Sequence, residues 1–125
     1  MLVVDDDPDV TDVIEEVLSL AGIEVVSTQD GEGALSLLGS TADGFDGALV
    51  DLSMPGLSGI ELIDRMRVVA PDLPVLLMSG YSEHDTQEAL RKRPLTRFLQ
   101  KPFGLARLTS EVEQLIASGH TGLGR

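Results

Sequence analysis

The chain has no cysteine and no tryptophan. Without thiols, both disulfides and thiolate metal centres are excluded. Aromatic residues amount to only 3%, so within an apolar content of 42% the core has to be aliphatic. No apolar run approaches the roughly 20 residues of a membrane-spanning helix, and no signal-peptide pattern is present. Basic residues are missing from the whole of residues 1–64, which carry fifteen acidic side chains. With a net charge of −12, the domain is not expected to bind nucleic acid. His84 and His120 are the only histidines. Neither has a partner at metal-ligand spacing, and both read as solvated.

What is present is an alternation of apolar runs and amphipathic stretches in 125 residues, enough for one domain with a real core. Leu2–Val4 reads as a strand that stops in Asp5-Asp6-Asp7-Pro8. Pro8 and the acids Asp7, Asp9 and Asp12 suit the first turn of a helix carrying Val10, Val13, Ile14, Val17, Leu18 and Ala21 inward. Gly22 is its stop signal, and residues 23–28 read as a second strand. Residues 31–38 form a short helix. Ala48–Val50 is a buried strand that ends at Asp51, and a Pro55-Gly56 turn leads into a helix over 58–69. Val75–Met78 is a fourth strand ending in Ser79-Gly80. Residues 83–91 are a weak helix candidate, Arg97–Gln100 a fifth strand ending in Lys101-Pro102, and 105–117 a last amphipathic helix. The chain therefore divides into a domain over 1–118 and a disordered tail over 119–125.

Five strands alternating with five helices predict an α/β doubly wound parallel sheet. In a flavodoxin-like sheet of strand order 2-1-3-4-5, the carboxyl ends of strands 1, 3, 4 and 5 lie side by side, where ligands bind. That topology brings Asp5, Asp6, Asp51, Ser79 and Lys101 together. Any one of them alone reads as an ordinary cap, turn or surface residue. Together, three carboxylates repel by roughly 4 kcal/mol per close pair at an effective dielectric near 20. A hard divalent cation with oxygen ligands relieves this, and Mg²⁺ prefers one or two carboxylates with waters and a phosphate. Aspartate can accept a phosphoryl group covalently, a transfer that needs positioning and charge neutralisation more than acid–base chemistry. Lys101 supplies part of that neutralisation, and Ser79 a hydroxyl for a phosphoryl oxygen.

With these residues in place, the chain resembles the receiver domains of two-component response regulators, from Leu2 to Ile116. The resemblance rests on Val-Val-Asp5-Asp6-Asp7-Pro8, Val-Asp51-Leu-Ser-Met-Pro55-Gly56-Leu-Ser-Gly59, Met-Ser79-Gly80 and Leu-Gln-Lys101-Pro102-Phe103. Asp5, Asp51, Ser79 and Lys101 follow one another at intervals of 46, 28 and 22 residues. The resemblance implies that Asp51 is phosphorylated and that Asp5, Asp6, Asp51 and the backbone carbonyl of Ser53 hold Mg²⁺, with Asp6 rather than Asp5 the more direct ligand. It implies that Ser79 and Lys101 contact the phosphoryl group, that Ser79 and Phe98 form the switch, and that Lys101–Pro102 is a cis peptide. It further implies a phosphorelay role, with a histidine kinase or histidine phosphotransfer protein as donor. The location expected is the cytoplasm, as a stand-alone regulator or as the cytoplasmic part of a membrane-bound hybrid sensor kinase, to which Met-Ser-Gly-Tyr-Ser-Glu83 is most similar. No membrane contact by the domain itself is expected, nor catalysis on outside substrates.

Three rival readings are weaker. A phosphohydrolase of the aspartyl-phosphate type carries a second Asp two residues after the nucleophile, where this chain has Ser53. A receiver-like domain working without phosphate would lack an acid or the lysine, and none is missing. A nucleotide binder of this fold needs a glycine-rich loop after strand 1, which is absent. Tyr81 reads as a loop residue beside the site. Finally, residues 91–107 hold six of the nine basic side chains and no acid. Five of them lie at the strand 5 edge, either as a solvated surface that discourages edge pairing or as a docking face. The acidic first half of another copy would fit such a face, giving a phosphorylation-dependent homodimer.

Overall fold

The computed structural model describes residues 1–40, 44–52, 59–80, 91, 93 and 95–123. Five strands are seen: β1 (Leu2–Val4), β2 (Val26–Thr28), β3 (Ala48–Asp51), β4 (Val75–Ser79) and β5 (Thr96–Gln100). With them run α1 (Pro8–Leu20), α2 (Gly31–Ser40), α3 (Gly59–Val69) and α4 (Leu105–Leu123). All strand pairs are parallel and the order is β2-β1-β3-β4-β5, the doubly wound topology expected. The helix candidate at 83–91 lies outside the described residues, save for Arg91, which is helical.

A parallel sheet covered on both faces needs strands that are apolar throughout, and β1, β3 and β4 are buried along their whole lengths. Side chains alternate between two cores. Leu2, Val4, Ala48, Val50, Val75 and Leu77 pack with α2 and α3 through Ala34, Leu38, Leu62, Ile63 and Met66. Val3, Leu49, Leu76, Met78 and Leu99 pack on the other face with α1 and α4 through Ile14, Leu18, Leu108, Val112 and Leu115.

Helix ends follow their capping residues. Asp7 accepts the Asp9 amide at 2.9 Å as the N-cap of α1, with Pro8 in the first turn. At the other end Gly22, at φ 81°, closes a Schellman motif in which Gly22 N–H donates to Ser19 O and Ile23 N–H to Leu18 O. This motif takes up Ile23, so β2 begins only at Val26 and not at the Ile23 predicted. The backbone of the last helix runs past the expected end at Ala117 to Leu123. No proline follows to break it, and the two glycines at 119 and 122 cost only about 1 kcal/mol each. Among the described residues no helix is long and apolar enough to cross a membrane.

Candidate functional site

Asp5, Asp51, Ser79 and Lys101 each sit one step beyond, or at the last step of, a strand whose ladder fixes them. Asp5 follows β1, and its amide donates to Thr28 O at 3.2 Å. Asp51 closes β3, and the next amide, Leu52 N–H, continues the ladder to Met78 O at 2.8 Å. Lys101 follows β5, its amide donating to Ser79 O at 2.7 Å. Two-residue alternation puts Asp5 on the face of Val3, Asp51 on that of Leu49 and Lys101 on that of Leu99. The three therefore converge above the α1/α4 core. Ser79 and Phe98 continue the opposite face, beside Leu77.

The convergence is close. The Lys101 ammonium lies 3.4 Å from Asp5 Oδ2 and 3.4 Å from Asp51 Oδ1. Asp5, Asp6 and Asp51 each offer a carboxylate oxygen, and these three atoms lie within 4.8 Å of one another. Asp5, Asp51 and Ser79 are buried, while Asp6 is exposed at the mouth. Asp5 uses its other oxygen, Oδ1, to accept the Asp7 amide at 3.0 Å. Burial nevertheless pushes the Asp5 carboxyl above its ordinary pKa; the Asp7 amide and the Lys101 charge act against that rise, and the Asp51 charge adds to it. The oxygen-only donor set, one acid open to solvent and a surplus of negative charge fit a hard divalent cation such as Mg²⁺.

Gly59 is a residue the sequence reading quoted without giving it a role. A Cβ there would come within 2.6 Å of Leu52 Cα and 2.8 Å of Asp51 O. The first turn of α3 thus packs directly on the backbone of Asp51 and Leu52, which only glycine permits. A glycine near the predicted start of a helix, three residues after the Pro55-Gly56 pair, was the available signal. Ser53, whose carbonyl completes the implied ligand set, lies outside the described residues, as do Tyr81 and His84. Lys101–Pro102 is a cis peptide. Phe98 is half-buried on β5 and lines an open groove of about 1080 Å³ with Phe103, Arg97, Arg107 and Glu111.

Arg93, Arg97 and Arg107, three of the bases expected at this edge, are engaged within the chain. Arg97 meets Glu111 at 3.1 Å and donates to Gln114 at 3.2 Å, while Arg107 reaches Glu111 at 3.6 Å. Arg93 makes a two-pronged contact with Asp64 at 2.9 and 2.8 Å.

Residues 1–113 match the family model described as response regulator receiver domain. The chain is 36% identical over 116 residues to the transcriptional regulatory protein PrrA of Mycobacterium tuberculosis, covering 93% of this chain and 49% of that protein. It spans about half the length of such curated relatives. Among solved structures it is similar to the receiver domain of NtrX from Brucella abortus, with a TM-score of 0.82, 31% identity and coverage of 93% and 97% of the two chains. The receiver domain of the Francisella response regulator 1452 gives a TM-score of 0.83 at 30% identity, covering 94% of this chain and 95% of that one.

Proposed function

Because the chain belongs to the response regulator receiver family, a family of phosphorylation-based signalling domains, we propose that Asp51 is its phosphoacceptor and that Lys101, Ser79, Asp5 and Asp6 complete the site. The observation that carries this is the single ammonium of Lys101 at 3.4 Å from both Asp5 and Asp51. That placement holds a cation where negative charge accumulates when a phosphoryl group arrives.

A carboxylate oxygen of Asp51 attacks the phosphorus of a phosphohistidine on a histidine kinase or histidine phosphotransfer protein. The new O–P bond forms as the N–P bond breaks, leaving an acyl phosphate on Asp51 and a free imidazole on the donor. Little acid–base chemistry is required, so positioning and electrostatics dominate. Lys101 offsets the charge of the equatorial oxygens, and its place is set by the β4–β5 ladder. Asp5, Asp6 and Asp51, with the Ser53 carbonyl implied by the family resemblance, would hold Mg²⁺, which neutralises phosphoryl oxygens when bound. Asp5 acts through its fixed orientation, one oxygen taken by the Asp7 amide. The Ser79 hydroxyl donates to a phosphoryl oxygen, and its movement toward that oxygen frees space for Phe98, a shift between two existing populations. The domain works on itself alone, as a signalling module rather than an enzyme for outside substrates.

Incubation with acetyl phosphate and Mg²⁺ should add one phosphoryl group, measured by intact mass, and Asp51→Asn should add none. Full labelling of that variant would sink the assignment.

A further inference from the structure

At the end of the sheet opposite the site, one side chain bridges the beginnings of two neighbouring strands. Arg67, in the last turn of α3, is half-buried. Its Nη1 donates to Leu73 O, just before β4. Its Nη2 donates to Leu95 O at 3.1 Å and to Thr96 Oγ1 at 3.2 Å, where β5 starts. Leu95 stands at φ 57°, in the left-handed region that non-glycine residues seldom adopt. In that conformation its carbonyl receives both the Arg67 guanidinium and the Val75 amide, the latter at 2.8 Å. Strained backbone of this kind persists only where surrounding contacts over-determine it. A second tie joins the same elements, the two-pronged Arg93–Asp64 contact between α3 and the residues just before β5.

β5 is an edge strand, paired only with β4, and its residues are mostly half-buried. Burial of one whole face is what specifies register strongly, and β5 has only Leu99 fully buried, so its hydrophobic pattern fixes register less firmly than those of β1, β3 and β4. Here register matters, because β5 carries Lys101 at its far end, and Thr96↔Val75 through Gln100↔Ser79 are the steps between. We propose that Arg67 is a positioning residue for Lys101: by bridging Leu73 O, Leu95 O and Thr96 Oγ1 it pins β5 against β4, and so sets where the Lys101 ammonium stands relative to Asp51. This rests on Lys101 serving as the countercharge for phosphoryl transfer. The planar fork of arginine spans both strands, which the point charge of lysine does not.

The test is a double-mutant cycle on phosphorylation by acetyl phosphate, at saturating Mg²⁺ and well below the melting temperature. The variants are Arg67→Met, Arg67→Lys, Lys101→Ala and the pair Arg67→Met with Lys101→Ala. Arg67→Met should slow phosphorylation by between about tenfold and a hundredfold, the scale of a catalytic group displaced by about 1 Å. Arg67→Lys should not rescue it, and Mg²⁺ affinity should hold, since its ligands lie on β1 and β3. In the Lys101→Ala background, Arg67→Met should cost nothing further. Faster hydrogen exchange at the Lys101 amide in metal-free Arg67→Met reports the loosened register directly. Thr96→Val removes one acceptor only and should move both readouts the same way by less, which serves if Arg67→Met does not fold. Equal rate losses in both backgrounds, or unchanged exchange at Lys101, would overturn the proposal. If Lys101→Ala alone leaves phosphorylation intact, the role of Lys101 is what fails, and the exchange measurement still decides whether Arg67 pins the strand.

Discussion

The two ends of the parallel sheet treat charge in opposite ways. At the carboxyl ends of β1, β3 and β5, one ammonium faces the three carboxylates of Asp5, Asp6 and Asp51, and both of its ion pairs are long at 3.4 Å. At the amino ends of β4 and β5, one guanidinium faces neutral acceptors, Leu73 O, Leu95 O and Thr96 Oγ1. The first arrangement carries surplus negative charge in a partly buried place, which costs stability and favours cations. The second carries a charge whose Nη groups are held by two backbone carbonyls and one hydroxyl, with Asp72 near enough to act on it, which favours one geometry. Chemistry and rigidity are thus placed at opposite ends of the same strands, and the aliphatic layers between them connect the two.

This contrast is most directly tested by supplying the missing positive charge. Mg²⁺ at about 100 times its dissociation constant should stabilise the domain by roughly 2.7 kcal/mol, since the unfolded chain has no such cluster. Asp6, the solvent-exposed acid of the three, is the residue to remove. Asp6→Ala should abolish the Mg²⁺ response in thermal melts while leaving the metal-free melting temperature unchanged or raised. A variant that retains the full response would show that the cluster is not the metal site.

A smaller effect comes from neutralising one acid at the crowded end. The folded-state pKa of Asp5 is raised above its unfolded value, chiefly by burial. Between those two values the folded protein holds the proton that the unfolded chain has released. Stability from this group therefore falls as pH rises from near 4 through the folded pKa, and the loss is complete above it. Asp5→Asn keeps an acceptor for the Asp7 amide and removes the charge. Without Mg²⁺ at pH 7 it should gain roughly 0.5–2 kcal/mol, the range of single stabilising substitutions. It should also flatten the fall in stability across the acidic window. Chemical denaturation at pH 4, 5.5 and 7 in the presence of a chelator measures both, and an unaltered pH slope would mean that Asp5 is not the group responsible.

Why the site was legible while the opposite end was not follows from the kind of contact each uses. Asp5, Asp51 and Ser79 stand directly after apolar runs and Lys101 directly after the predicted fifth strand, so strand order alone determined which of them meet. β1, β3 and β4 are fully buried, and continuous Val and Leu runs announce such strands. Arg67 gave no such signal. Along the sequence it is one more base on an amphipathic helix, and its partners are backbone carbonyls, which every residue has. β2 began three residues later than predicted because the apolar Ile23 serves the C-terminal motif of α1, and periodicity cannot distinguish that use from a strand. The basic cluster at 91–107 was legible as composition but not as chemistry. Its acidic partners Asp64 and Glu111 lie 29 positions before Arg93 and 14 after Arg97, and only the packing of α3 and α4 brings them close.

That pairing bears on the expected docking face at the β5 edge, and gives the smallest of the effects. Glu111 is held between Arg97, at 3.1 Å, and Arg107, at 3.6 Å. Arg107 is the more exposed of the two, at 66% against 38% for their side chains, and its pair lies within one helix at i,i+4 spacing. Such pairs contribute about 0.3–0.5 kcal/mol, and salt screens them. Arg107→Ala should therefore change stability by no more than about 0.5 kcal/mol at low salt and by almost nothing at 1 M, where the Debye length is about 3 Å. Glu111 carries one negative charge against two arginines, so these pairs reduce the positive charge of the edge without cancelling it. With both guanidiniums already held within the chain, sedimentation of the phosphorylated domain should show the same oligomeric state at both salt concentrations. If low salt alone produced an assembly that Arg107→Ala abolished, the Glu111 pairs would be open to exchange for contacts between copies, and the edge would be an interface after all.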